Sequence, residues 1–324
     1  MKLNTALTVT AAMASALVSL PVSAQGNYPS RPVRIVVPYA PGGGTDINAR
    51  QVQPKLFERW GHTPVIDNRP GGNAMIGADI VAKAAPDGYT VLMSASSEIA
   101  TNVSLFKKMP YDPLRDLLPV TLVSNTPVVI VAHPSTGVKS IKELVATARQ
   151  RKYSYSSVGT ASPQHLAGEW LKNLAKIDMT HIPFKGAGAA LIDNLGGHVP
   201  IGFLSLSPVV PHAKAGRLNA LAVTSGRRSP AMPDVPVMKE VGFPDIELVQ
   251  WYGVFVPAGT PRAIVDKLNR DMNTVFHLPD VKENLAQVGA DVIANTTPEQ
   301  FGQFVRVEIE KNRKVIGIAG VKVE

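Results

Sequence analysis

The sequence predicts an α/β protein with two lobes, each containing a mostly parallel sheet flanked by helices. Apolar strands alternate with amphipathic helices from residue 34 to residue 93, a pattern typical of a parallel sheet covered on both faces. A second unit of strand, turn and helix begins at Tyr153 and repeats this arrangement. Apolar segments at residues 118–131 and 249–256 lack a helical period and are interpreted as crossings between the lobes.

The first turn of this pattern is rich in glycine. An apolar strand at residues 34–38 leads into Pro41-Gly42-Gly43-Gly44-Thr45-Asp46. Three consecutive glycines allow positive φ angles and a close approach of the backbone to another molecule. Thr45 and Asp46 are favourable N-cap residues, and the free N–H groups of a helix start attract anions. We therefore predict an anion cradle at this turn.

A second turn repeats the same chemistry later in the chain. The strand at residues 153–158 is followed by Gly159-Thr160-Ala161-Ser162-Pro163. Ser162 as N-cap with Pro163 at the first helical position is a strong signal for a helix start. Two such turns, one in each lobe, predict a ligand that is clamped between the lobes by helix-start amides.

The remaining elements are predicted from periodicity and from their ends. Helices are assigned where apolar residues recur every three to four positions, as at Val52, Leu56 and Trp60. Ser140 and Glu143 form a capping box, and Gly196 ends another helix. Besides the strands given above, strands are predicted at residues 64–67, 90–93, 179–183, 198–205 and 218–224, and helices at 74–84, 140–149, 163–174, 208–215, 262–276 and 298–316.

A serine-rich stretch follows the third predicted strand. Ser94 and Ser96 come directly after this strand, and ligands of open α/β sheets lie beyond the carboxyl ends of the strands. We include both residues among the candidate ligand contacts. The alternative is a polar loop that only caps the next helix.

The composition limits the function classes. The chain of 324 residues has no cysteine, which excludes disulfides, thiolate metal sites and a thiol nucleophile. Its formal charge is +8, yet Lys and Arg are scattered without a basic stripe that carries aromatic residues. We therefore expect no nucleic-acid partner. No close spacing of His and carboxylates suggests a metal site, and we expect no cofactor.

The N-terminus has the features of a secretory signal peptide. Lys2 is basic, residues 6–20 are apolar apart from small polar residues, and Val22-Ser23-Ala24 is a small-residue cleavage site. The apolar run is shorter than the roughly 20 residues that span a bilayer. We expect residues 1–24 to be removed by cleavage after Ala24 and the protein to be exported. Within the mature chain, the predicted lobes are residues 25–124 with 250–324, and residues 125–249.

Ordered motifs along the whole mature chain carry a family resemblance. Besides the two turns described above, they include Tyr28-Pro29, Asn68-Arg69-Pro70-Gly71, Ala85-Pro86-Asp87-Gly88-Tyr89-Thr90, Pro110-Tyr111-Asp112-Pro113, His165-Leu166-Ala167-Gly168-Glu169, Lys185-Gly186 and Pro257-Ala258-Gly259-Thr260-Pro261. With these motifs the sequence resembles the solute receptors of tripartite tricarboxylate transporters, the TctC or Bug family.

The resemblance implies a two-lobed periplasmic binding protein of the type II-like, Venus flytrap class. In that family, backbone N–H groups and waters of the two turns hold one ligand carboxylate. The receptor would be a monomer without enzymatic activity that delivers its ligand to the membrane subunits of the transporter. Carried over to this chain, the turn positions are Ala40 to Asp46 and Gly159 to Ser162, with Tyr39 and Phe203 as walls. With the residues singled out separately, the predicted ligand-binding residues are Tyr39, Ala40, Gly43, Gly44, Thr45, Asp46, Ser94, Ser96, Gly159, Thr160, Ala161, Ser162, His165, Lys185, Phe203 and Ser205.

The ligand class is inferred from one departure from the family pattern. Many members of the family that this sequence resembles carry Phe-Asp-Asn where this chain has Phe203-Leu204-Ser205. The replacement of that Asp by Leu204 favours a dicarboxylate or an aromatic carboxylate over an amino acid as the ligand. Lys185 is a candidate partner for a second carboxylate. His165 is interpreted as a packing or ligand-lining residue, because its position three residues after Ser162 does not suit a catalytic triad.

Two alternatives stay open from the sequence. An exported α/β enzyme with a phosphate- or nucleotide-bearing substrate is one, although the glycine turn matches neither common nucleotide-binding motif. A receptor that feeds a sensor protein instead of a permease is the other.

Overall fold

A computed structural model describes residues 28–160, 162–319 and residue 321. The predicted signal peptide, residues 1–24, lies outside the described residues. Among the described residues, none of the helices combines the length and the apolar character needed to cross a bilayer. The strands are β1 Arg34–Val37, β2 Val65–Asn68, β3 Thr90–Ala95, β4 Leu117–Ala132, β5 Tyr153–Ser157, β6 Met179–Pro183, β7 Ile201–Ser205, β8 Asn219–Val223, β9 Val249–Pro257 and β10 Asp291–Val292.

The helices lie between these strands much as the alternating pattern predicts. The short helix α9 is an exception, because no element was predicted for its residues. The helices are α1 Gly44–Trp60, α2 Met75–Ala82, α3 Asn102–Leu105, α4 Ile141–Ala148, α5 Pro163–Ala175, α6 Ala187–Leu195, α7 Leu206–Lys214, α8 Arg262–Phe276, α9 Pro279–Gln287 and α10 Pro298–Ala319.

The strands follow the order β2-β1-β3-β9-β4-β7-β5-β6, with β8 and β10 paired to β4. The two outer groups are parallel, since β1 pairs in parallel with β2 and β3, and β5 pairs in parallel with β6 and β7. The central strands β4 and β9 are antiparallel to each other and to their neighbours. Each end of the sheet therefore has the predicted parallel arrangement, and antiparallel strands join the two ends.

Strand β4 links the two halves of the protein. Its first part pairs with β9, from Leu117 opposite Pro257 to Pro127 opposite Val249, and its last part, from Val128 onwards, pairs with β7 and β8. The apolar segments without helical period are thus two long, paired strands. Because they are the connections that run from one half into the other, we expect any hinge motion between the halves to occur there.

Apolar side chains cover both faces of the sheet in each half. In the first half, Val37 and Val254 belong to one core cluster, and Val36 and Phe255 belong to the cluster on the opposite face. Val128 and Val129, which are neighbours on β4, likewise belong to different clusters of the second half. This burial of both faces explains why the strands are continuous apolar runs.

The last helix contacts both halves of the protein. Near its start, Phe301 and Val305 pack in a core cluster of the first half. Near its end, Val315 and Ile316 pack in a core cluster of the second half, where α10 contacts α5. The lobe boundaries given by the sequence stay a prediction, and α10 belongs to both cores.

The N-cap predicted from the sequence is confirmed for α5 but not for α1. Ser162 caps α5, because its Oγ accepts a hydrogen bond from the His165 N–H at 3.2 Å. The start of α1 was predicted wrongly: its N-cap is Gly43, which has no side-chain cap, and Thr45 and Asp46 already lie inside the helix. The close approach at this turn requires glycine, since a Cβ at Gly44 would overlap the hydroxyl of Tyr252.

The contact between β9 and α10 yields a stability prediction. A Cβ at Gly253 would overlap the ring of the fully buried Phe301. We expect Gly253→Ala to lower the free energy of unfolding by about 1–3 kcal/mol, the usual cost of overpacking. Gly317→Ala is the matched control, because nothing lies near its Cβ and alanine favours a helix by about 0.5–1 kcal/mol. Urea denaturation measures both, and equal effects of the two variants would contradict the packing argument.

Candidate functional site

A small cavity lies between the two halves of the protein, and we name it the inner cavity. Its volume is about 20 Å³, which holds about one water molecule. Two helix starts meet there, that of α1 at Gly44 and that of α6 at Ala187. None of the lining residues carries a charged side chain. They are Tyr39, Gly43, Gly44, Thr45, Ala95, Val158, Ala187, Ser205, Gln250 and Tyr252.

The first glycine turn faces the start of α6 directly. A Cβ at Gly43 would lie 3.7 Å from the backbone nitrogen of Ala187, and a Cβ at Gly188 would overlap the carbonyl oxygen of Pro41. The Ala40 N–H donates a hydrogen bond of 3.3 Å to the Lys185 carbonyl. The predicted donor Ala40 is therefore already paired across the cleft.

A second cavity, which we name the outer cavity, adjoins the inner one. Its volume is about 260 Å³. Tyr39 and Val158 line both cavities. The remaining lining residues come from Pro38 after β1 and the loop before α2 in the first half, and from the turn before α5, the end of β6 and the turn before α6 in the second. They are Pro38, Gly71, Gly72, Asn73, Ala74, Thr160, Pro183, Phe184 and Lys185.

The turn before α5 contributes to the outer cavity, whereas the first glycine turn contributes to the inner one. Thr160 lines the outer cavity, and a Cβ at Gly159 would lie 3.2 Å from Oδ1 of Asn73. Ser162 is buried, with its hydroxyl donating to the Gly159 carbonyl at 2.8 Å. The structure therefore places α6, rather than this turn, opposite the first glycine turn. Ala161 lies outside the described residues.

Asp46 holds the glycine turn together. Its carboxylate is buried and accepts hydrogen bonds from the Gly42 N–H at 3.0 Å, from Arg50 at 2.8 Å and from Asn68 at 3.1 Å. Burial acts to raise the pKa of Asp46, but the bonds from Arg50, Gly42 and Asn68 outweigh it and lower this pKa below 3.8. The carboxylate oxygens thus stabilise the glycine turn, and Asp46 lines neither the inner nor the outer cavity.

Ser94 and Ser96 are not in an open loop. Strand β3 runs two residues further than predicted, so that Ser94 lies in the strand, where its hydroxyl bonds to the Ala95 carbonyl at 3.2 Å. Ser96 accepts a hydrogen bond of 2.9 Å from Nε2 of Gln250. Both are buried, and neither lines the inner or the outer cavity. The hydrogen bond of Ser96 instead orients Gln250, which does line the inner cavity.

The last three residues of β7 have different surroundings. Phe203 packs in the core of the second half, 5.1 Å from the ring of Tyr155, and is not a wall of the cleft. Leu204 packs in the apolar cluster on the other face, so its difference from the family pattern does not alter the cavity directly. Ser205 lines the inner cavity and accepts hydrogen bonds from Nε2 of Gln164 at 2.9 Å and from the Tyr252 hydroxyl at 3.4 Å.

Gln250 and Tyr252 line the inner cavity, and neither is among the predicted ligand-binding residues. They lie on β9, where the run of apolar residues indicated only a buried crossing. The side-chain oxygens Oε1 of Gln250 and of Gln164 are buried without a hydrogen-bond partner among the described residues. A glutamine within an apolar crossing strand was the available signal, because a buried amide needs partners.

His165 belongs to a buried cluster beside α5 and lines neither the inner nor the outer cavity. Its ring stacks on that of His181, with the ring centres 3.8 Å apart. Burial lowers the pKa of His165 to about 4, and burial together with the neighbouring His165 lowers that of His181 to about 3. Both imidazoles are therefore neutral near pH 7, which agrees with a packing role.

Comparison with known proteins assigns this chain to a family. The family described as the tripartite tricarboxylate transporter family receptor, TctC, matches residues 48–321. The chain is also 36% identical over 315 residues to protein BugT of Bordetella pertussis, covering 96% of both chains. The chain belongs to the TctC/Bug family. It is therefore a periplasmic solute receptor by family, and this family consists of binding receptors rather than enzymes.

Solved structures of other TctC/Bug proteins have the same fold. An R. palustris protein described with adipate is 34% identical, with a TM-score of 0.87, and the match covers 90% of this receptor and 98% of that chain. MatC from Rhodopseudomonas palustris with bound malate is 32% identical, with a TM-score of 0.83, over 89% of this receptor and 100% of that chain. The predicted two-lobed fold of a periplasmic binding protein is confirmed.

The histidine pair yields a pH prediction. In the unfolded chain an imidazole binds a proton below about pH 6.5, whereas folded His165 resists protonation down to about pH 4. The folded state therefore loses stability as the pH falls between these values, by about 2 kcal/mol from pH 6.5 to pH 5. Denaturation at both pH values measures the loss, which His165→Gln should reduce and the exposed control His277→Gln should not. Identical profiles for all three proteins would contradict the prediction.

Proposed function

We propose that this receptor captures a small organic carboxylate between its lobes, with a dicarboxylate or an aromatic carboxylate favoured. As a monomer, it then delivers the ligand to the membrane subunits of a tripartite tricarboxylate-type transporter. In this proposal the leader is cleaved after Ala24 during export to the periplasm. The observation that carries the proposal is the convergence of two helix starts, those of α1 and α6, on the inner cavity.

Helix starts favour an anion at this position. Each presents backbone N–H groups and the positive end of a helix dipole, and both are buried at Gly44 and Ala187. The inner cavity has no charged lining residue, so the helix-start N–H groups are the donors that an anion would meet there. We propose that one carboxylate binds to Gly43, Gly44 and Thr45. The inner cavity is smaller than a carboxylate ligand, so the lobes would have to open to admit one.

Ser205 supports the same assignment. Its oxygen accepts from Gln164 and from Tyr252, so its own proton is free to donate to a ligand oxygen. Tyr39 and Tyr252 complete the walls of the inner cavity. Gln250 presents an unpaired Oε1, which needs a donor and so fits a water that bridges to the carboxylate.

The outer cavity supports a second polar group on the ligand. Lys185 lines it from the second lobe, together with Thr160, and the Lys185 side chain forms no ion pair among the described residues. A carboxylate at the far end of the ligand would find a cation there. Relatives described with adipate and with malate, both dicarboxylates, are consistent with such a ligand.

A thermal-shift panel tests the proposed function. At a hundred times its dissociation constant, a ligand adds about 2.7 kcal/mol of stability. We expect such a shift from a carboxylate, with adipate, malate and benzoate as the first probes, and none from a nucleotide. Gly43→Leu should abolish the shift, because its side chain would fill the space before Ala187, while Gly317→Leu serves as the control with open space at its Cβ. A shift with a nucleotide alone would overturn the proposal.

The role of Lys185 is tested with paired ligands of equal length. Lys185→Met should weaken adipate binding about tenfold, the worth of one charge-assisted hydrogen bond, and leave hexanoate binding unchanged. Calorimetric titration measures both affinities. Lys142→Met, on the exposed face of α4, is the matched control. Equal losses for adipate and hexanoate would contradict the assignment of the second carboxylate to Lys185.

A further inference from the structure

A buried carboxylate lies directly behind the wall of the inner cavity. Glu98 is 0% exposed and lies in the π-helical turn Ser97–Thr101, just after β3. Both of its oxygens accept hydrogen bonds from wall residues. The Ala95 N–H donates to Oε1 at 2.7 Å, and the Tyr39 hydroxyl donates to Oε2 at 2.7 Å. The ligand assignment above gives this carboxylate no role.

No cation neutralises Glu98 among the described residues. The ionisable groups around it are the hydroxyls of Tyr39, Tyr111 and Tyr252. On α10, which packs against this turn, Glu308 bonds to Nε1 of Trp251 and pairs with Lys311. On α2, Asp79 acts on Tyr111 and pairs with Lys83. α3, which also packs against this turn, carries no charged residue.

Both protonation states of Glu98 are accessible near neutral pH. Burial raises its pKa to about 7, and the hydrogen bonds from Ala95 and Tyr39 offset only part of this effect. The three tyrosines stay neutral in this range, because burial raises their pKa values, that of Tyr252 to about 12. Glu98 is therefore the group of this cluster that changes charge around pH 7.

The hydrogen bonds fix where a proton can bind. The Ala95 N–H is a permanent donor, so Oε1 of Glu98 is an acceptor in both states. The proton then belongs on Oε2, between Glu98 and the Tyr39 oxygen. When Glu98 is ionised, the Tyr39 hydroxyl donates to it, and only lone pairs of that oxygen remain for the cavity. When Glu98 is protonated, it donates to Tyr39, whose own proton becomes free to donate elsewhere.

We propose that Glu98 couples the binding of a carboxylate ligand in the cleft to the uptake of one proton. Protonation at Oε2 removes a buried negative charge behind Tyr39 and Ala95, both of which line the inner cavity. It also turns Tyr39 from an acceptor into a donor for the ligand. The coupling rests on the proposed function, because it needs an anion in this cleft.

Calorimetric titration tests the coupling with adipate and malate as probes, between pH 6 and pH 8.5. With one proton taken up per ligand, affinity should fall by up to about tenfold per pH unit above pH 7. Titrations in two buffers of different ionisation enthalpy should report the proton directly. Affinity and heat that do not depend on pH or buffer would overturn the coupling.

Glu98→Gln is the decisive variant. Its amide can accept from the Ala95 N–H and donate to Tyr39, as protonated Glu98 does. We expect affinity independent of pH and equal to that of the unaltered protein at pH 6. Glu308→Gln is the matched control, because Glu308 is also largely buried and bonds to Trp251. It should keep the full pH dependence. A pH dependence that persists in Glu98→Gln would overturn the assignment to Glu98.

A ligand-free measurement separates this inference from the proposed function. Above about pH 4.5 an unfolded chain has Glu98 ionised, whereas the folded protein keeps its proton up to about pH 7. The unfolding equilibrium of the unaltered protein should therefore shift roughly a hundredfold towards unfolding, relative to Glu98→Gln, from pH 4.5 to pH 7. A constant difference would overturn the inference about Glu98 alone. Absence of binding by every carboxylate would overturn the proposed function and the coupling with it.

Discussion

The antiparallel pairing of β4 with β9 is the constraint on which the arrangement of the site depends. These strands carry the chain from one half to the other, and their ladder runs from Leu117 opposite Pro257 to Pro127 opposite Val249. Because the parallel strands of each half are anchored to this pair, their carboxyl ends face each other. The glycine turn after β1 and the start of α6 meet as a result, although Gly44 and Ala187 are 143 positions apart in the sequence.

Backbone N–H groups, rather than cationic side chains, make the inner cavity suitable for an anion. Helix-start amides are fixed by the helix behind them, so they lose little entropy when they bind. Asp46 adds rigidity by tying Gly42, Arg50 and Asn68 together. A negative residue next to an anion site is tolerated because its charge is already paired with Arg50.

Local features were predictable from the sequence, and non-local ones were not. Ser162 with Pro163 identifies the start of α5 because capping depends on adjacent residues. The sequence also predicted the fold and both crossings, since apolar periodicity records burial. It could not pair the glycine turn with Ala187, place Gln250 and Tyr252 in the cavity wall, or bring Glu98 behind that wall, because those contacts depend on strand order and register. Phe203 was assigned wrongly for the same reason: its packing against Tyr155 in the core of the second half depends on contacts between distant segments.

Helix α10 packs in both halves and therefore restricts their relative motion. Its start is held in the core of the first half at Phe301, and its end is held in the second at Val315 and Ile316. Any rotation of the lobes about β4 and β9 must bend this helix or detach its end from the second core. Both cost free energy that increases with the angle of opening. Strain in α10 would therefore oppose opening of the lobes and would be released as they close, with or without a ligand.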